Sequence, residues 1–410
     1  MLHVGLCIAA LFVVSITHWV YRWRNPKCNG KLPPGSMGLP LLGETLDFFT
    51  PNQTNDTPFI KNRIKRYGPI FRTSLVGLQV IVSTDSELSY MVFQQEGQSF
   101  ESWYPPSFRR IFGNQNISSL HGSLHKYLKN MVLSVVGPES LKKMFSEVES
   151  VATRNLEAWA SQETVELKTS IGNMVFEFMG KKLISYDPEK SSENLRDNFE
   201  AFIRGLISFP LEIPGTAYYK CLQGRKKMIM KLKNMLEERR AKPNKEEHQK
   251  ILRKRENPKA GLTWEEYKSM RFTFQVINET LRLASIVPVL FRKAKKDIKF
   301  KEYTIPSGWA VMVCPPAVHL DPVNYKDPLD FNPWRWEDMD LKSASKTFMA
   351  FGGGQRFCVG ADFAKLQIAI FLHCLVTKYQ WQPIKGGDIV RTPGLQFPNG
   401  FHVRIFEKET

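Results

Sequence analysis

The hydrophobic pattern divides the chain into an apolar amino-terminal run and a long remainder in which apolar positions are periodic. Residues 4–21 are almost continuously apolar, which is near the lower length limit for a helix that crosses a bilayer. Aromatic and then basic residues follow at positions 19–27, as expected at the cytosolic end of a membrane anchor. The alternative, a cleaved signal peptide, would need a basic start and a small-residue cleavage site, and neither is present. We therefore predict a retained transmembrane anchor over residues 1–21.

Residues 22–45 are basic and then rich in proline and glycine, ending in KLPPGSMGLPLLGET. Proline fixes the backbone φ angle and removes an amide donor, so this segment cannot be helical. It could be a plain linker. Because it directly follows the predicted anchor, we interpret it as a stiff hinge that orients the following domain against the membrane.

Residues 46–410 alternate between helical and strand spacing of apolar positions. A period of two on either side of Gly77 predicts a β-hairpin over residues 69–83. A capping-box pattern at Thr263 and Glu266 opens one predicted helix. Helical spacing is found over residues 120–136, 141–159, 191–207, 225–240, 264–283 and 361–378, and strand-like spacing over 298–303, 309–313 and 397–406. The pattern predicts one mainly α domain with small antiparallel β-sheets.

Composition adds a strong positive charge to this picture. The chain has 57 Lys plus Arg against 40 Asp plus Glu, a formal net charge of +17. Such a charge favours an acidic protein partner, an anionic membrane surface or nucleic acid. No nucleic-acid-binding module is recognisable, so we expect an acidic protein or membrane headgroups and no nucleic acid. The six cysteines form no close pairs, which argues against a disulfide framework and fits a reducing compartment.

The loop FGGGQRFCVG, residues 351–360, carries the most specific chemical signal. Its glycines allow tight turns and a close approach of the backbone to a flat cofactor. Arg356 could pair with a carboxylate of that cofactor. Cys358 falls just before a predicted helix, whose amino-terminal N–H groups favour a thiolate, and Gly360 would keep space beside the sulfur. The competing interpretation is a structural cysteine after a flexible turn, and the loop alone does not decide between the two.

Three motifs in fixed order resemble those of cytochromes P-450. Phe351, Gly354, Arg356, Cys358 and Gly360 match the haem-ligand signature F-x-x-G-x-R-x-C-x-G of that family. The resemblance implies the cytochrome P-450 fold, and it implies haem b with Cys358 as the axial ligand of the iron. A thiolate on haem iron favours cleavage of a bound O–O bond.

The other two motifs supply a structural cluster. Glu279 and Arg282 match the E-x-x-R of the family's K helix, and Arg335 in FNPWRW matches its following aromatic-Pro-Arg segment. Alone, E-x-x-R would be read as an ordinary helix pair. In the family these three residues are structural, and the resemblance implies that here they lock the cysteine loop.

The resemblance carries over further positions that have a plain alternative. His125 and Lys129 are similar to the residues that contact haem propionates, although an exposed basic helix turn explains them equally well. Arg292 is similar to an arginine that reaches a propionate. Val287, Val289, Leu290, residues 103–117 and residues 394–397 would line the substrate pocket, but such apolar stretches are more often core.

One expected part of the family pattern is missing. The long apolar helix that crosses the distal face of the haem, with its (A/G)-G-x-(D/E)-T motif, is not found between Arg225 and Glu279. Residues 237–257 are too charged for a buried helix. We expect an incomplete fold with an internal deletion near residues 240–250, and no catalytic residue is identifiable on the distal side.

The resemblance to the plant clan that oxidises brassinosteroids, other sterols and triterpenoids implies a membrane-bound monooxygenase of a lipophilic substrate. It implies electrons from NADPH through a cytochrome P-450 reductase, and a cytosolic domain on a single-pass anchor in the endoplasmic reticulum. Two alternatives remain open. The chain could be a catalytically impaired haem-binding splice form or pseudoenzyme, or a membrane-anchored scaffold without haem.

Overall fold

The computed structural model describes residues 2–53, 58–113, 115–184, 186, 195–206, 208–241, 261–337, 339 and 343–409. Its helices are α1 Leu2–Arg24, α2 Thr45–Phe48, α3 Pro58–Tyr67, α4 Ser86–Gln94, α5 Pro106–Phe112, α6 Gly122–Val136, α7 Pro138–Ala160, α8 Leu167–Ile184, α9 Leu195–Leu206, α10 Ala217–Ala241, α11 Trp264–Ser269, α12 Arg271–Ala284, α13 Pro315–His319 and α14 Ala361–Lys378. Single 3₁₀ turns lie at Pro333–Trp336, Ser343–Lys346 and Gly354–Arg356. The predicted mainly α fold is confirmed.

The strands form one larger sheet and three small ones. They are β1 Ile70–Leu75, β2 Leu78–Ser83, β3 Phe100–Ser102, β4 Val165–Glu166, β5 Leu290–Ala294, β6 Ile298–Phe300, β7 Tyr303–Ile305, β8 Ala310–Val313, β9 Tyr379–Gly386, β10 Val390–Arg391, β11 Leu395–Gln396 and β12 Phe401–Glu407. The larger sheet has the order β1-β2-β8-β5-β3, and its β2–β8 pair is parallel. The small sheets are antiparallel as predicted, whereas the larger one is mixed because β8 runs parallel to β2 and antiparallel to β5.

The hairpin predicted around Gly77 is present. Strands β1 and β2 pair from Ile70 opposite Ser83 to Leu75 opposite Leu78. The two turn residues, Val76 and Gly77, both have positive φ angles of 51° and 75°. Two positive φ angles in a two-residue loop match the right-handed twist of the flanking strands.

The main core lies where α7, α12 and α14 pack together. Leu156 of α7 and Leu366, Ala369 and Ile370 of α14 are completely buried. Ile277 of α12 is buried in the same cluster. Burying a Leu or Ile side chain contributes roughly 1.5–3 kcal/mol, so this cluster holds the helix that follows the cysteine loop firmly in place.

The amino-terminal segments show one helix and one docked connector. Within the described residues, Gly5–Arg24 is the single helix long and apolar enough to cross a membrane, with a mean hydropathy of 1.5. The proline-rich segment then lies on the larger sheet rather than hanging free. The Arg72 amide donates to the Pro34 carbonyl at 2.8 Å, and the Glu44 amide donates to the Ser74 carbonyl at 2.8 Å. These bonds fix the direction in which the chain enters the domain.

Several predicted boundaries differ from the structure. The helix expected over residues 264–283 is divided at Met270, whose ψ angle of 53° lies outside the helical range, although its capping box is formed. The apolar stripe continues across the break, so spacing alone could not reveal it. Helices α4 and α8 were not predicted. The predicted deletion near residues 240–250 falls in residues 242–260, outside the described part of the chain, and stays a prediction.

Candidate functional site

The cysteine loop joins a 3₁₀ turn to the start of α14. The Cys358 amide donates to the Phe351 carbonyl at 3.0 Å, and the Ala364 amide donates to the Gly360 carbonyl at 2.9 Å as α14 begins. The thiol of Cys358 is free and exposed. The backbone therefore holds Cys358 two residues before Gly360, the N-cap of α14, and leaves its sulfur open to a ligand.

Two glycines of the loop pack so tightly that no side chain would fit. Gly354 has a φ of +60°, and a Cβ there would lie 2.1 Å from the Phe93 carbonyl oxygen. A Cβ on Gly353 would lie 2.8 Å from the Phe93 ring. The prediction that Gly360 keeps space beside the sulfur is not supported, because a Cβ on Gly360 would lie 4.0 Å from the Cys358 sulfur, an ordinary contact distance. The glycines thus press the loop against α4, and Gly360 is not required for space beside the sulfur.

Arg292 and Arg356 meet at a buried carboxylate, Glu96. The Arg292 Nε lies 2.9 Å from Glu96 Oε2, and the Arg356 Nε donates to Glu96 Oε1 at 3.0 Å. Glu96 also accepts the Ser102 amide at 2.9 Å. The cluster holds two positive charges against one negative charge, so it can accept a further anionic group.

Arg356 is held on its other side by the chain between β3 and α6. Its Nη1 donates to the Ile117 carbonyl at 3.0 Å, and its Nη2 donates to the Leu120 carbonyl at 2.8 Å. Burial lowers the pKa of Arg356, and Arg292 adds to this effect, while Glu96 opposes it. The sequence predicted only a cofactor carboxylate as partner, and the structure shows that protein groups already fix the guanidinium.

His125 and Lys129 lie on α6 beside the same loop. The Lys129 Nζ donates to the Gln355 carbonyl at 3.1 Å, one residue before Arg356. Burial lowers the pKa of His125, and the positive charges of Arg356 and Lys129 lower it further. The structure therefore places the cations Lys129, Arg292 and Arg356 around the cysteine loop, with His125 beside them. Whether His125 and Lys129 contact haem propionates stays a prediction.

Glu279, Arg282 and Arg335 form a fully connected buried network. Arg282 donates through Nη2 to Glu279 Oε1 at 2.8 Å and through Nε to Oε2 at 2.9 Å, with both side chains completely buried. Arg335 Nε donates to Glu279 Oε1 at 3.0 Å, and Trp336 Nε1 donates to Oε2 at 3.0 Å. Burial alone would raise the pKa of Glu279, but these donors outweigh it and the pKa is lowered. The carboxylate is thereby kept charged and fixed.

A hydrogen-bonded relay through His319 connects this network to the cysteine loop. His319 Nε2 accepts the Met349 amide at 3.0 Å, so Nδ1 must carry the proton and donate to Ser285 Oγ at 2.9 Å. Ser285 Oγ in turn donates to the Arg282 carbonyl at 2.9 Å. Burial lowers the pKa of His319 to about 3, so the imidazole stays neutral. These hydrogen bonds connect Arg282 to Met349, two residues before the cysteine loop begins at Phe351.

On the other side of β5 an apolar cleft opens. Its empty volume, counted together with the solvent-filled mouth, is about 860 Å³. Aromatic residues Trp103, Tyr104, Phe108 and Phe291 line it together with Val289. Phe291 faces this cleft and the next residue, Arg292, joins the charged cluster, so one strand links the cleft to the cysteine loop.

Comparison with known proteins decides what this arrangement is. The cytochrome P450 family model matches residues 33–255 and 242–402. The chain is 50% identical to cytochrome P450 87A3 of Oryza sativa subsp. japonica, covering 98% of this chain and 91% of that protein. The chain belongs to the cytochrome P450 family. The predicted membership of this family is confirmed, and the chain is an oxidoreductase of the monooxygenase class.

Further relatives are plant P450 enzymes of triterpenoids and sterols. A beta-amyrin 16-alpha-hydroxylase of Maesa lanceolata is 39% identical over 99% of both chains. A cholesterol 16,22-dihydroxylase of Trigonella foenum-graecum is 33% identical over 98% of both chains. Among solved structures, a retinoic acid bound cyanobacterial CYP120A1 superposes with a TM-score of 0.81 at 25% identity, covering 93% of this chain and 100% of that one.

The residues of this P450 fit the haem iron that the family implies. The exposed Cys358 sulfur offers an axial ligand, and the glycine contacts with Phe93 hold the loop flat against α4. The excess positive charge at Arg292, Arg356 and Lys129 suits the two carboxylates of a haem. Cys358 would hold the iron and the basic cluster would hold the propionates.

Three residues of this P450 escaped the sequence reasoning: Glu96, His319 and Arg391. Glu96 lies in a loop, and its partner Arg356 is 260 residues away in the chain. His319 ends a short helix, and its partner Met349 is 30 residues away. No local spacing therefore marks either residue. Arg391 is a buried arginine on the short strand β10. For His319, a polar residue inside the apolar stretch PPAVHL was the available signal, and it does not name the partner.

Proposed function

We propose that this chain is a membrane-anchored monooxygenase that hydroxylates a sterol or triterpenoid skeleton. The observation that carries this proposal is the apolar cleft. Phe291 of β5 lines the cleft, and the next residue of the strand, Arg292, joins the charged cluster beside the cysteine loop. A cleft lined by aromatic rings and Val289 suits a rigid hydrocarbon skeleton, and the names of the related plant hydroxylases support this substrate class.

The proposed roles follow from the geometry. Cys358 serves as the thiolate ligand of the haem iron, and Arg292, Arg356, His125 and Lys129 receive the propionates. Glu279, Arg282 and Arg335 keep the cysteine loop in place through the His319 relay. Phe351, Gly354 and Gly360 complete the loop. When bound, a thiolate-ligated haem supplies reductive splitting of dioxygen, with one oxygen atom inserted into a C–H bond and the other released as water.

Electrons are proposed to come from NADPH through a flavoprotein reductase. The net charge of +17 makes an acidic electron-donor surface the fitting partner. The apolar helix α1 and the basic residues after it support a single-pass anchor, with the domain on the cytosolic face of the endoplasmic reticulum. The domain limits proposed are an anchor over residues 1–21, a hinge over 22–45 and a haem-binding domain over 46–410.

The internal deletion is part of the same proposal. The alignment with the rice relative runs over 469 residues although this chain has 410, and the family model matches in two segments that overlap at residues 242–255. These lengths support an interval near residues 240–250 in which relatives carry residues that this chain lacks. The distal helix of the family is the expected content of that interval.

Reconstituted turnover tests the proposal. The full chain in lipid vesicles would receive reductase, NADPH and either cholesterol or β-amyrin, with products analysed by mass spectrometry. We expect a product heavier by one oxygen atom that is absent without NADPH. No product from cholesterol or β-amyrin, both with this chain and with the lengthened chain described next, would contradict the proposed substrate class. A matched chain that carries the corresponding interval of the rice relative near Lys245 tests the deletion. Higher turnover in that chain supports the deletion, and equal turnover contradicts it.

A further inference from the structure

An open groove lies between the end of α1 and the surface of the domain. Arg24 of α1, the segment 35–47 and Arg66 of α3 contribute to its lining. The Trp23 Nε1 donates to the Met37 carbonyl at 3.3 Å, which holds the end of α1 beside the groove. The space open to the centre of a water molecule is about 580 Å³, far more than the roughly 10–15 Å³ that a single water needs. Because α1 ends where the proposed anchor leaves the bilayer, the groove lies at the level of the lipid headgroups.

Two arginines of this groove have no acid partner. Arg24 and Arg66 are exposed, and in the part of the chain that the structure describes no carboxylate lies within 4.0 Å of either. The two acids of the lining, Glu44 and Asp47, both meet Arg63, whose Nη2 lies 2.8 Å from Glu44 Oε1 and 3.2 Å from Asp47 Oδ2. Three arginines against two carboxylates leave one positive charge. A ligand with a single negative charge would therefore balance the groove.

The same groove exposes leucine side chains. Leu39, Leu42 and Leu46 line it and are 60%, 45% and 63% exposed. Leu41, in the same short segment, is 70% exposed. Clustered exposed leucines mark a surface that meets an apolar partner, and leucines beside arginines are typical of a surface that lies at the boundary of headgroups and acyl chains. The groove thus combines one unbalanced positive charge with an apolar wall.

We propose that this groove binds one anionic phospholipid of the membrane, with its phosphate at Arg24 and Arg66 and its acyl chains along the exposed leucines. The inference rests on the anchor of the proposed function and adds a specific lipid partner beside it. Arginine suits this ligand because its planar N–H groups match two oxygens of a phosphate. A zwitterionic lipid would bring its own cation and leave the charge of the groove unbalanced. The bound lipid would connect α1 to α3 and so fix how the domain sits against the membrane.

Native mass spectrometry of the full chain tests this proposal. The chain is placed in lipid nanodiscs with equal parts of phosphatidylglycerol and phosphatidylcholine, released into mild detergent, and weighed with the lipids that stay bound. We expect one retained phosphatidylglycerol, enriched about 10-fold or more over phosphatidylcholine, the range for hydrogen bonds between charged groups. No retained lipid, or equal retention of the two lipids, would overturn the proposal. A chain that does not enter the discs would overturn it together with the proposed anchor, whereas a chain that retains the lipid and hydroxylates no sterol or triterpenoid would support it and contradict only the proposed function.

Paired substitutions separate this site from the general attraction between a basic chain and an anionic membrane. Arg66→Gln removes a cation of the groove, and Lys65→Gln removes its exposed neighbour on α3, which does not line the groove. Arg24→Gln and Arg22→Gln form the same kind of pair at the end of α1. The enrichment should fall about 10-fold in Arg24→Gln and Arg66→Gln and stay at the wild-type value in the two controls, with the thiolate-type spectrum unchanged in all four. Equal losses within both pairs would show that only the number of surface charges matters and would overturn the site.

Discussion

The cysteine side and the cleft side of the molecule differ in how tightly they are packed. On the cysteine side, Glu279 and Arg282 are completely buried, and donors surround both Glu279 oxygens. On the cleft side, aromatic walls surround an open space. The first side is built to hold one geometry. The second leaves capacity for a ligand, so changes on the two sides should be distinguishable in their effects.

The largest effect is expected from Glu279→Ala. It removes the buried carboxylate and leaves Arg282 and Arg335 without their shared partner, which costs about 3–5 kcal/mol. We expect the apparent melting temperature to fall steeply and the thiolate-type carbon monoxide spectrum to be lost. Glu200→Ala breaks the i,i+4 ion pairs with Arg196 and Arg204, each of which contributes only about 0.3–0.5 kcal/mol. Similar melting temperatures for the two variants would contradict the closed network.

The next largest effect is expected from Gly354→Ala. The added Cβ would lie 2.1 Å from the Phe93 carbonyl oxygen at a left-handed φ of +60°, so the loop must move. Gly68→Ala is the matched control, because its φ is +88° and no atom lies within 4 Å of the added Cβ. The control carries only backbone strain of roughly 1–3 kcal/mol. Haem content after purification should fall well below the control, and equal haem content would show that the loop tolerates displacement.

The His319 relay predicts a difference between two close substitutions. His319→Gln can place its amide oxygen near the Nε2 position and still accept the Met349 amide, whereas His319→Asn reaches only toward Ser285. The unpaired Met349 amide in His319→Asn should cost about 1–3 kcal/mol. We expect His319→Asn to shift part of the carbon monoxide spectrum to the inactive, non-thiolate form, and His319→Gln to retain the thiolate form. The reverse order would contradict a relay through Nε2.

The same residue predicts a pH dependence. The pKa of His319 falls from 6.5 to about 3 in the folded chain. Between these values the unfolded chain binds a proton that the folded chain excludes, so stability decreases as the pH falls from 6.5 toward 3. His319→Gln cannot titrate and should show a flatter decline of melting temperature over this window. A decline as steep as in the wild type would mean that other groups, Glu279 among them, govern acid lability.

The smallest effect on haem binding is expected from Phe291→Ala, because Phe291 lines the cleft. Phe291 contacts Trp103 and Tyr104 edge-on and lines the cleft. Its removal should weaken sterol binding about 10-fold through lost apolar contact while the thiolate-type spectrum stays unchanged. Phe331→Ala, at an exposed position away from the cleft, should change neither property. Loss of the thiolate spectrum in Phe291→Ala would show that the cysteine side and the cleft side are not independent.

The same contrast explains what the sequence could predict. Helix α14 was predicted with its observed limits, because a long apolar period marks it, and the order of three motifs identified the family around Cys358. The break at Met270 left no trace in the apolar stripe. The partners Glu96 and His319 were missed because each meets its arginine or amide only through tertiary packing. Local patterns thus revealed the motifs, whereas the contacts between them required the folded chain.

The most direct test of Cys358 as the haem ligand is the reduced, carbon-monoxide-bound absorption spectrum of the full chain, with Cys358→Ala as control. Cys374→Ala, a buried cysteine in α14, serves as the matched substitution. The account predicts a thiolate-type Soret band in the wild type and in Cys374→Ala, and its disappearance in Cys358→Ala. A wild-type chain that loads haem without this band, or a band that survives in Cys358→Ala, would contradict the account.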